Sequence, residues 1–189
     1  MRPRERRART LGWLMVLFFV TWFESFGGWL ATRASLTAWV PDLGLLFFLA
    51  IAAPLGRRLM ARKRETAGTF GLVLAATLGE AASSSLAIAP QLAGWIGVLL
   101  WQGFWRRGVD VERPLMRILI AGTSALGLIV WRHLVLGLDL ATEPRAVGAL
   151  LQLPDAGAWR GALLTAALAP LFMPFALHLP GVGLYWRER

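Results

Sequence analysis

One glutamate stands inside an apolar stretch long enough to cross a membrane, and its carboxyl group is the first candidate for chemistry. Glu80 falls in the run 68–89, about 18 Å from Gly68 at roughly 1.5 Å per helical residue. This places it near the middle of a hydrocarbon core about 30 Å thick. Its own segment offers no nearby basic residue, and unpaired charge at that depth is costly, so we expect a neutral carboxyl group that is hydrogen-bonded or faces a polar cavity.

Other polar residues interrupt the apolar segments. Ser84 lies one helical turn from Glu80, within a run of serines at 83–85. Glu24 and Arg132 both fall in the outer third of their own segments, where they could form an ion pair. The alternative that we favour is that the long side chain of Arg132 extends to the membrane surface. A structural role and a functional polar site are both open for Glu80 and its neighbours.

The sequence contains none of the common enzyme motifs. There is no paired-histidine zinc motif, no phosphate-binding P-loop and no Gly-x-Ser-x-Gly motif. Cysteine is absent, and the only histidines, His133 and His178, fall near predicted membrane interfaces. We therefore expect no catalytic residue, no metal site and no cofactor. The enzyme class left open is an intramembrane hydrolase, in which a base from another helix would activate one of the serines.

Six apolar segments must position these residues. The 189-residue chain is 57% hydrophobic, above the roughly 45–50% of soluble domains. Segments of this kind cross lipid as helices, because the bilayer offers the backbone no hydrogen-bond partner. The sequence predicts an all-α integral membrane protein, a single polytopic domain over residues 1–189 with about six transmembrane helices. The spans are 11–30, 43–60, 68–89, 92–105, 115–138 and 159–179, and a tight turn at Pro90 should join the third and fourth in a hairpin.

The distribution of basic residues predicts the topology. The formal net charge is +9, and its arginines and lysines cluster in every second loop, as cytoplasmic loops do. We therefore expect a basic cytoplasmic N-terminus over residues 1–10, both termini inside, and an outer loop 139–158 with a short amphipathic helix. The basic clusters form no continuous face, so we expect contact with membrane lipid and none with nucleic acid. The expected location is the inner (cytoplasmic) membrane of a bacterium.

A small residue recurs at every fourth position of the third segment. Small side chains at this spacing let another helix approach closely. That helix could belong to the same bundle or to a partner protein; we expect internal packing at the Gly71 end and a partner contact near Gly79. The stripe comprises Ala67, Gly71, Ala75, Gly79, Ser83 and Ala87.

The pattern resembles the MreD family of rod shape-determining membrane proteins over most of residues 40–189. The resemblance begins at Pro41-Asp42-Leu43 and continues through Ala67-Gly68-Thr69-Phe70-Gly71 to Leu78-Gly79-Glu80. It ends with a last span that contains Pro170 and with a basic tail. Family members usually carry aspartate at the position of Glu80, and a glycine-containing stretch in place of Ser83-Ser84-Ser85-Leu86.

The resemblance implies a non-enzymatic scaffold of the elongasome, which supports side-wall peptidoglycan synthesis and cell shape. Its partners would be an MreC-like bitopic membrane protein, an MreB-like filament and the peptidoglycan synthases. The architecture is also similar to substrate-binding subunits of vitamin importers, so a subunit of a small-molecule or lipid transporter is the alternative. Those subunits dock their coupling subunit through small residues at every fourth position of the first helix, whereas residues 11–23 here contain only Gly12.

Overall fold

Six α-helices make up most of the part of the chain that the computed structural model describes, residues 3–33, 40–59, 63–84, 87–105, 113–140, 154 and 156–179. The prediction of an all-helical fold is confirmed for these residues; that six helices cross a membrane stays a prediction. In chain order the helices are α1 (Pro3–Arg33), α2 (Leu43–Leu59), α3 (Lys63–Ala81), α4 (Ile88–Trp105), α5 (Pro114–Leu140) and α6 (Ala156–Ala176).

Three helices contain a segment long and apolar enough to cross a membrane: Thr10–Gly27 in α1, Pro114–Leu136 in α5 and the whole of α6. Shorter apolar stretches occupy Leu43–Ala52 in α2 and Gly68–Ala81 in α3. Large apolar side chains cover the outer surface, and Leu171 is 74% exposed. Extended apolar surface is unfavourable in water and is normal against lipid. These features indicate a multi-pass membrane protein.

The central helix is α2, which packs against each of the other five. Every side chain from Leu45 to Ala52 is buried. Asp42 caps the N-terminus of α2. Its Oδ1 accepts a hydrogen bond of 2.8 Å from the backbone N–H of Leu45. That N–H group lies in the first turn and has no acceptor within the helix. The backbone N–H of Asp42 donates to Oγ1 of Thr165 in α6, also at 2.8 Å. The cap therefore holds the start of α2 against α6.

The small-residue stripe of α3 packs against α1 of the same chain. A Cβ atom on Gly79 would lie 2.8 Å from the carbonyl oxygen of Thr21, so the two backbones are in contact there. The Thr21 hydroxyl donates to the carbonyl oxygen of Ala75 at 3.2 Å. At Gly71 the fit is looser, since a Cβ atom would lie 3.8 Å from Cδ2 of Leu17. The expectation of a partner contact near Gly79 is therefore wrong, because α1 occupies that side.

The hairpin between α3 and α4 turns earlier than predicted. α3 ends at Ala81 and α4 begins at Ile88, so Pro90 lies in the first turn of α4. Proline is tolerated there because the first amides of a helix have no acceptor within it. Ser83 and Ala87 consequently lie beyond α3 and do not continue its stripe. The side chain of Ala67 lies outside the described part of the chain.

The predicted boundaries of the other helices differ from the observed ones by no more than a few residues, except at the N-terminus. There α1 begins at Pro3, so most of the basic segment 1–10 belongs to the first helix. α5 continues to Leu140 and α6 starts at Ala156. The predicted helix of the outer loop 139–158 falls mainly on residues outside the described ranges, and it stays a prediction.

Candidate functional site

Four ionisable residues from α1, α3, α5 and the segment just before α2 lie close together. The carboxyl groups of Glu24, Asp42 and Glu80 all interact electrostatically with Arg132. Asp42 precedes α2, and Glu80 belongs to the last turn of α3. We refer to these four residues as the polar cluster. It joins helices that are distant in sequence at one end of the bundle.

An ion pair between Glu80 and Arg132 connects α3 to α5. Nε of Arg132 donates to Oε1 of Glu80 at 2.7 Å, and the indole N–H of Trp95 in α4 donates to Oε2 at 2.8 Å. Hydrogen bonds to a charged group are shorter and stronger than neutral ones. Each oxygen of the buried carboxylate therefore has a donor.

This pair corrects two expectations from the sequence. Glu80 was expected to be neutral because its own segment offers no basic neighbour, but α5 supplies Arg132, so that reason does not hold. Arg132 was expected to extend to the surface or to pair with Glu24, and it pairs with Glu80 instead. The early end of α3 also places Glu80 in the last helical turn, so it does not lie in the middle of its helix.

Glu24 fills the space between two glycines. It is 7% exposed, and its Oε1 is buried without a hydrogen-bond partner among the described residues. A Cβ atom on Gly44 of α2 would overlap the Glu24 carboxyl group, and one on Gly79 of α3 would lie 2.6 Å from the Glu24 Cβ. Close approach of α1 to both neighbours therefore requires a glycine on each side. Gly79 belongs to the stripe found in the sequence, whereas Gly44 was missed.

Ser84 takes part in the turn between α3 and α4. Its hydroxyl oxygen accepts a hydrogen bond of 2.6 Å from Nε2 of Gln91, which is buried in the first turn of α4. This contact holds the two arms of the hairpin together. Gln91 was not singled out in the sequence, although a glutamine just after a membrane turn is a ready partner for the serines that precede it.

A narrow cleft borders the ion pair between α3, α4 and α5. Glu80, Gln91, Trp131 and Arg132 are among the residues that line it, and they leave no enclosed space for a water molecule. The indole N–H of Trp131 donates to the carbonyl oxygen of Pro90 at 2.7 Å beside the cleft. Small-molecule pockets usually measure about 300–1,000 Å³. Within the described ranges, no group of three or more acidic or histidine side chains is arranged to hold a metal ion.

Trp95 and Asp42 carry signals that the sequence alone could have revealed. Trp95 lies near the middle of α4, away from the interfaces that tryptophan prefers in membranes. A buried indole N–H needs an acceptor, so this position points to a polar partner. Asp42 precedes a long apolar run, which is a typical helix start. Neither signal identifies the partner, because that depends on how the helices pack.

Replacing Trp95 by phenylalanine is expected to lower the free energy of unfolding by about 2 kcal/mol, the usual contribution of a hydrogen bond to a charged group. An aromatic ring stays at the site, and the donor to Glu80 is lost. Thermal and denaturant unfolding in detergent micelles would measure the change.

The matched control is Trp101→Phe in the same helix, where the exposed indole donates its N–H to the Thr123 hydroxyl at 2.9 Å. We expect a loss of no more than about 1 kcal/mol there, since the lost bond joins neutral, exposed groups. Equal losses in the two variants would show that the hydrogen bond from Trp95 to Glu80 stabilises the protein no more than the exposed bond of Trp101 does.

No family model matches the chain, and no curated protein or solved structure matches it either. Its function is therefore inferred from its own residues and from the geometry of the polar cluster.

Proposed function

We propose that this protein is a non-enzymatic membrane scaffold of the MreD kind, acting in the bacterial cell-elongation complex. The main support is the position of the motifs that carry the resemblance. Pro41-Asp42-Leu43 supplies the cap of α2, and Leu78-Gly79-Glu80 supplies both the close contact with α1 and the partner of Arg132. Two motifs that are far apart in sequence thus meet at the polar cluster. Residues used in this way fix how helices are arranged, which is what a scaffold requires.

The bonding within the polar cluster favours a structural role over catalysis. Both carboxylate oxygens of Glu80 accept hydrogen bonds, so neither is held ready to take a proton from a substrate. The Ser84 hydroxyl accepts a hydrogen bond from the Gln91 side-chain amide, which fixes it in the turn between α3 and α4. The carboxyl oxygen of Glu24 faces Gly44 in a buried position. The described members of the site are thus engaged in helix contacts.

Two observations weigh against the transporter alternative. The cleft beside the ion pair encloses no space for even a water molecule, whereas small-molecule pockets begin at roughly 300 Å³. The small-residue stripe of α3 is covered by α1 and so offers no docking face for a coupling subunit. Gly12, the small residue of the segment 11–23 in α1, is buried as well and offers no docking face either. An MreC-like partner helix would consequently bind one of the lipid-facing surfaces of the bundle.

The cellular setting follows from the charge pattern. Basic clusters in every second loop favour the inner membrane of a bacterium with both termini in the cytoplasm. In that orientation the polar cluster lies toward the outer leaflet. Contact with an MreB-like filament would then occur through the basic cytoplasmic loops, and the peptidoglycan synthases would be reached through the membrane and the outer face.

Affinity purification from native membranes tests the proposal. The chain, tagged at its C-terminus and expressed at its native level, is expected to recover an MreC-like bitopic protein in mild detergent, and its depletion is expected to round the cells. A tagged multi-pass protein of similar size from the same membrane is the control for nonspecific recovery. Recovery of a pair of ATPase subunits, with cell shape unchanged on depletion, would favour the transporter and contradict the scaffold.

A further inference from the structure

Glu24 differs from Glu80 in what surrounds its carboxyl group. Both residues are 7% exposed. The oxygens of Glu80 receive hydrogen bonds from Arg132 and Trp95, whereas Oε1 of Glu24 is buried with no hydrogen-bond partner in the described part of the chain. A buried carboxylate oxygen without a donor loses its hydration and gains no hydrogen bond in return. An uncharged carboxylic acid avoids that cost.

The charged groups that face Glu24 do not neutralise it. Asp42 at the start of α2 and Glu80 on α3 are both acidic, and Arg132 on α5 is the cation in electrostatic contact with all three acids. The side chain of Arg132 already forms its ion pair with Glu80. Three ionised carboxylates around one guanidinium would leave the polar cluster with two uncompensated negative charges. Removing the charge of Glu24 reduces this excess by one.

The space between Gly44 and Oε1 of Glu24 is too small for a metal ion. The backbone of Gly44 lies so close that even a Cβ atom there would overlap the carboxyl group. Gly79 contacts the other side of the side chain, where a Cβ atom would lie 2.6 Å from the Glu24 Cβ. A sodium or calcium ion needs several oxygen ligands at more than about 2 Å. A hydrogen atom on the carboxyl oxygen fits where a coordinated cation does not.

We propose that Glu24 is an intramembrane proton-binding site, a carboxylic acid held neutral between Gly44 and Gly79. The bound proton lets α1 pack against α2 and α3 at the same level. Loss of that proton would create a second unpaired negative charge beside Asp42 and Glu80, and it would loosen the α1 contact. This inference concerns the state of one side chain, and it holds whether or not the chain is a scaffold.

Infrared spectroscopy of the purified protein in lipid nanodiscs tests the proposal at neutral pH. A protonated carboxylic acid gives a carbonyl band that is separate from the carboxylate bands. We expect this band in the wild type, complete loss of the band in Glu24→Gln, and its retention in the matched control Glu80→Gln. Glu24→Gln is also expected to keep the wild-type thermal unfolding midpoint, because glutamine resembles the neutral acid in shape and charge.

Isotope labelling provides a test that does not depend on the folding of the Glu24 variant. Incorporating glutamate with a ¹³C carboxyl carbon should shift the band in the wild type and in Glu80→Gln, whereas labelled aspartate should not. No acid band in the wild type would overturn the proposal. A band that survives in Glu24→Gln, or that shifts with labelled aspartate and so belongs to Asp42, would overturn it as well. Stabilisation of the wild type by sodium but not potassium chloride, with no acid band, would indicate a cation site instead.

Discussion

Arg132→Leu is expected to lower the free energy of unfolding by about 3 kcal/mol, because it leaves Glu80 buried without its cation. Glu80→Leu is expected to cost less, about 2 kcal/mol, since the remaining arginine can extend toward the membrane surface. The side chain of Arg132 is already 31% exposed in the wild type. The double variant should recover at least half of the summed loss, because it leaves no unpaired charge. Unfolding of all four proteins in the same detergent, by heat and by denaturant, would measure the coupling.

The double-variant cycle separates an ion pair from two independent contacts. Residues in contact show a coupling energy of about 0.5–3 kcal/mol, and distant residues are additive. If the two single losses simply add in the double variant, Arg132 and Glu80 do not interact in the folded protein. The same cycle with Glu24→Leu in place of Glu80→Leu should show weaker coupling, because the structure pairs Arg132 with Glu80.

Gly79→Ala is expected to lower the free energy of unfolding by about 3 kcal/mol, at the upper end of the cost of overpacking a well-packed core. The added methyl group would lie 2.8 Å from the Thr21 carbonyl oxygen and 2.6 Å from the Glu24 Cβ. Backbone cannot move aside as the end of a flexible side chain can, so α1 must shift away from α3. The shift would also disturb the hydrogen bond of 3.2 Å from the Ser25 hydroxyl to the Gly79 carbonyl oxygen.

Gly103→Ala is the matched control, because a Cβ atom at that exposed position of α4 meets nothing within 4 Å. Alanine favours helix by about 1 kcal/mol over glycine, so this variant should be as stable as the wild type or slightly more stable. Both proteins would be compared by thermal unfolding and by the fraction that stays monodisperse in detergent. A Gly79→Ala protein as stable as the control would mean that α1 does not contact α3 at this point.

The helices could be predicted because each depends on a local property of the chain. An apolar run must be helical in lipid, and this correctly indicated the six helices, three of which contain a described run of membrane length. The central position of α2 was also readable in principle, since Leu43–Ala52 contains no polar residue and so has no face that prefers a polar surrounding. Pro90 was misplaced because a proline ends one helix as readily as it starts the next.

The polar cluster could be predicted only in part. Glu24, Glu80 and Arg132 are conspicuous as charges in apolar segments, and all three belong to the cluster. Which carboxylate Arg132 pairs with depends on the packing of α3 against α4 and α5, and no periodicity within one helix encodes it. Gly44 escaped notice for the same reason, because its importance comes entirely from the Glu24 side chain that lies against it.

Six membrane crossings with both termini in the cytoplasm are the claim on which the proposals about function depend. The chain contains no cysteine, so single cysteines can be labelled without any background substitution. Arg62→Cys and Glu143→Cys, at positions outside the described residues, fall in a predicted inner and a predicted outer loop. With a membrane-impermeant maleimide on spheroplasts, we expect labelling of Glu143→Cys at once and of Arg62→Cys only after lysis. Labelling of Arg62→Cys in intact spheroplasts, or of neither variant until lysis, would contradict the six-span arrangement.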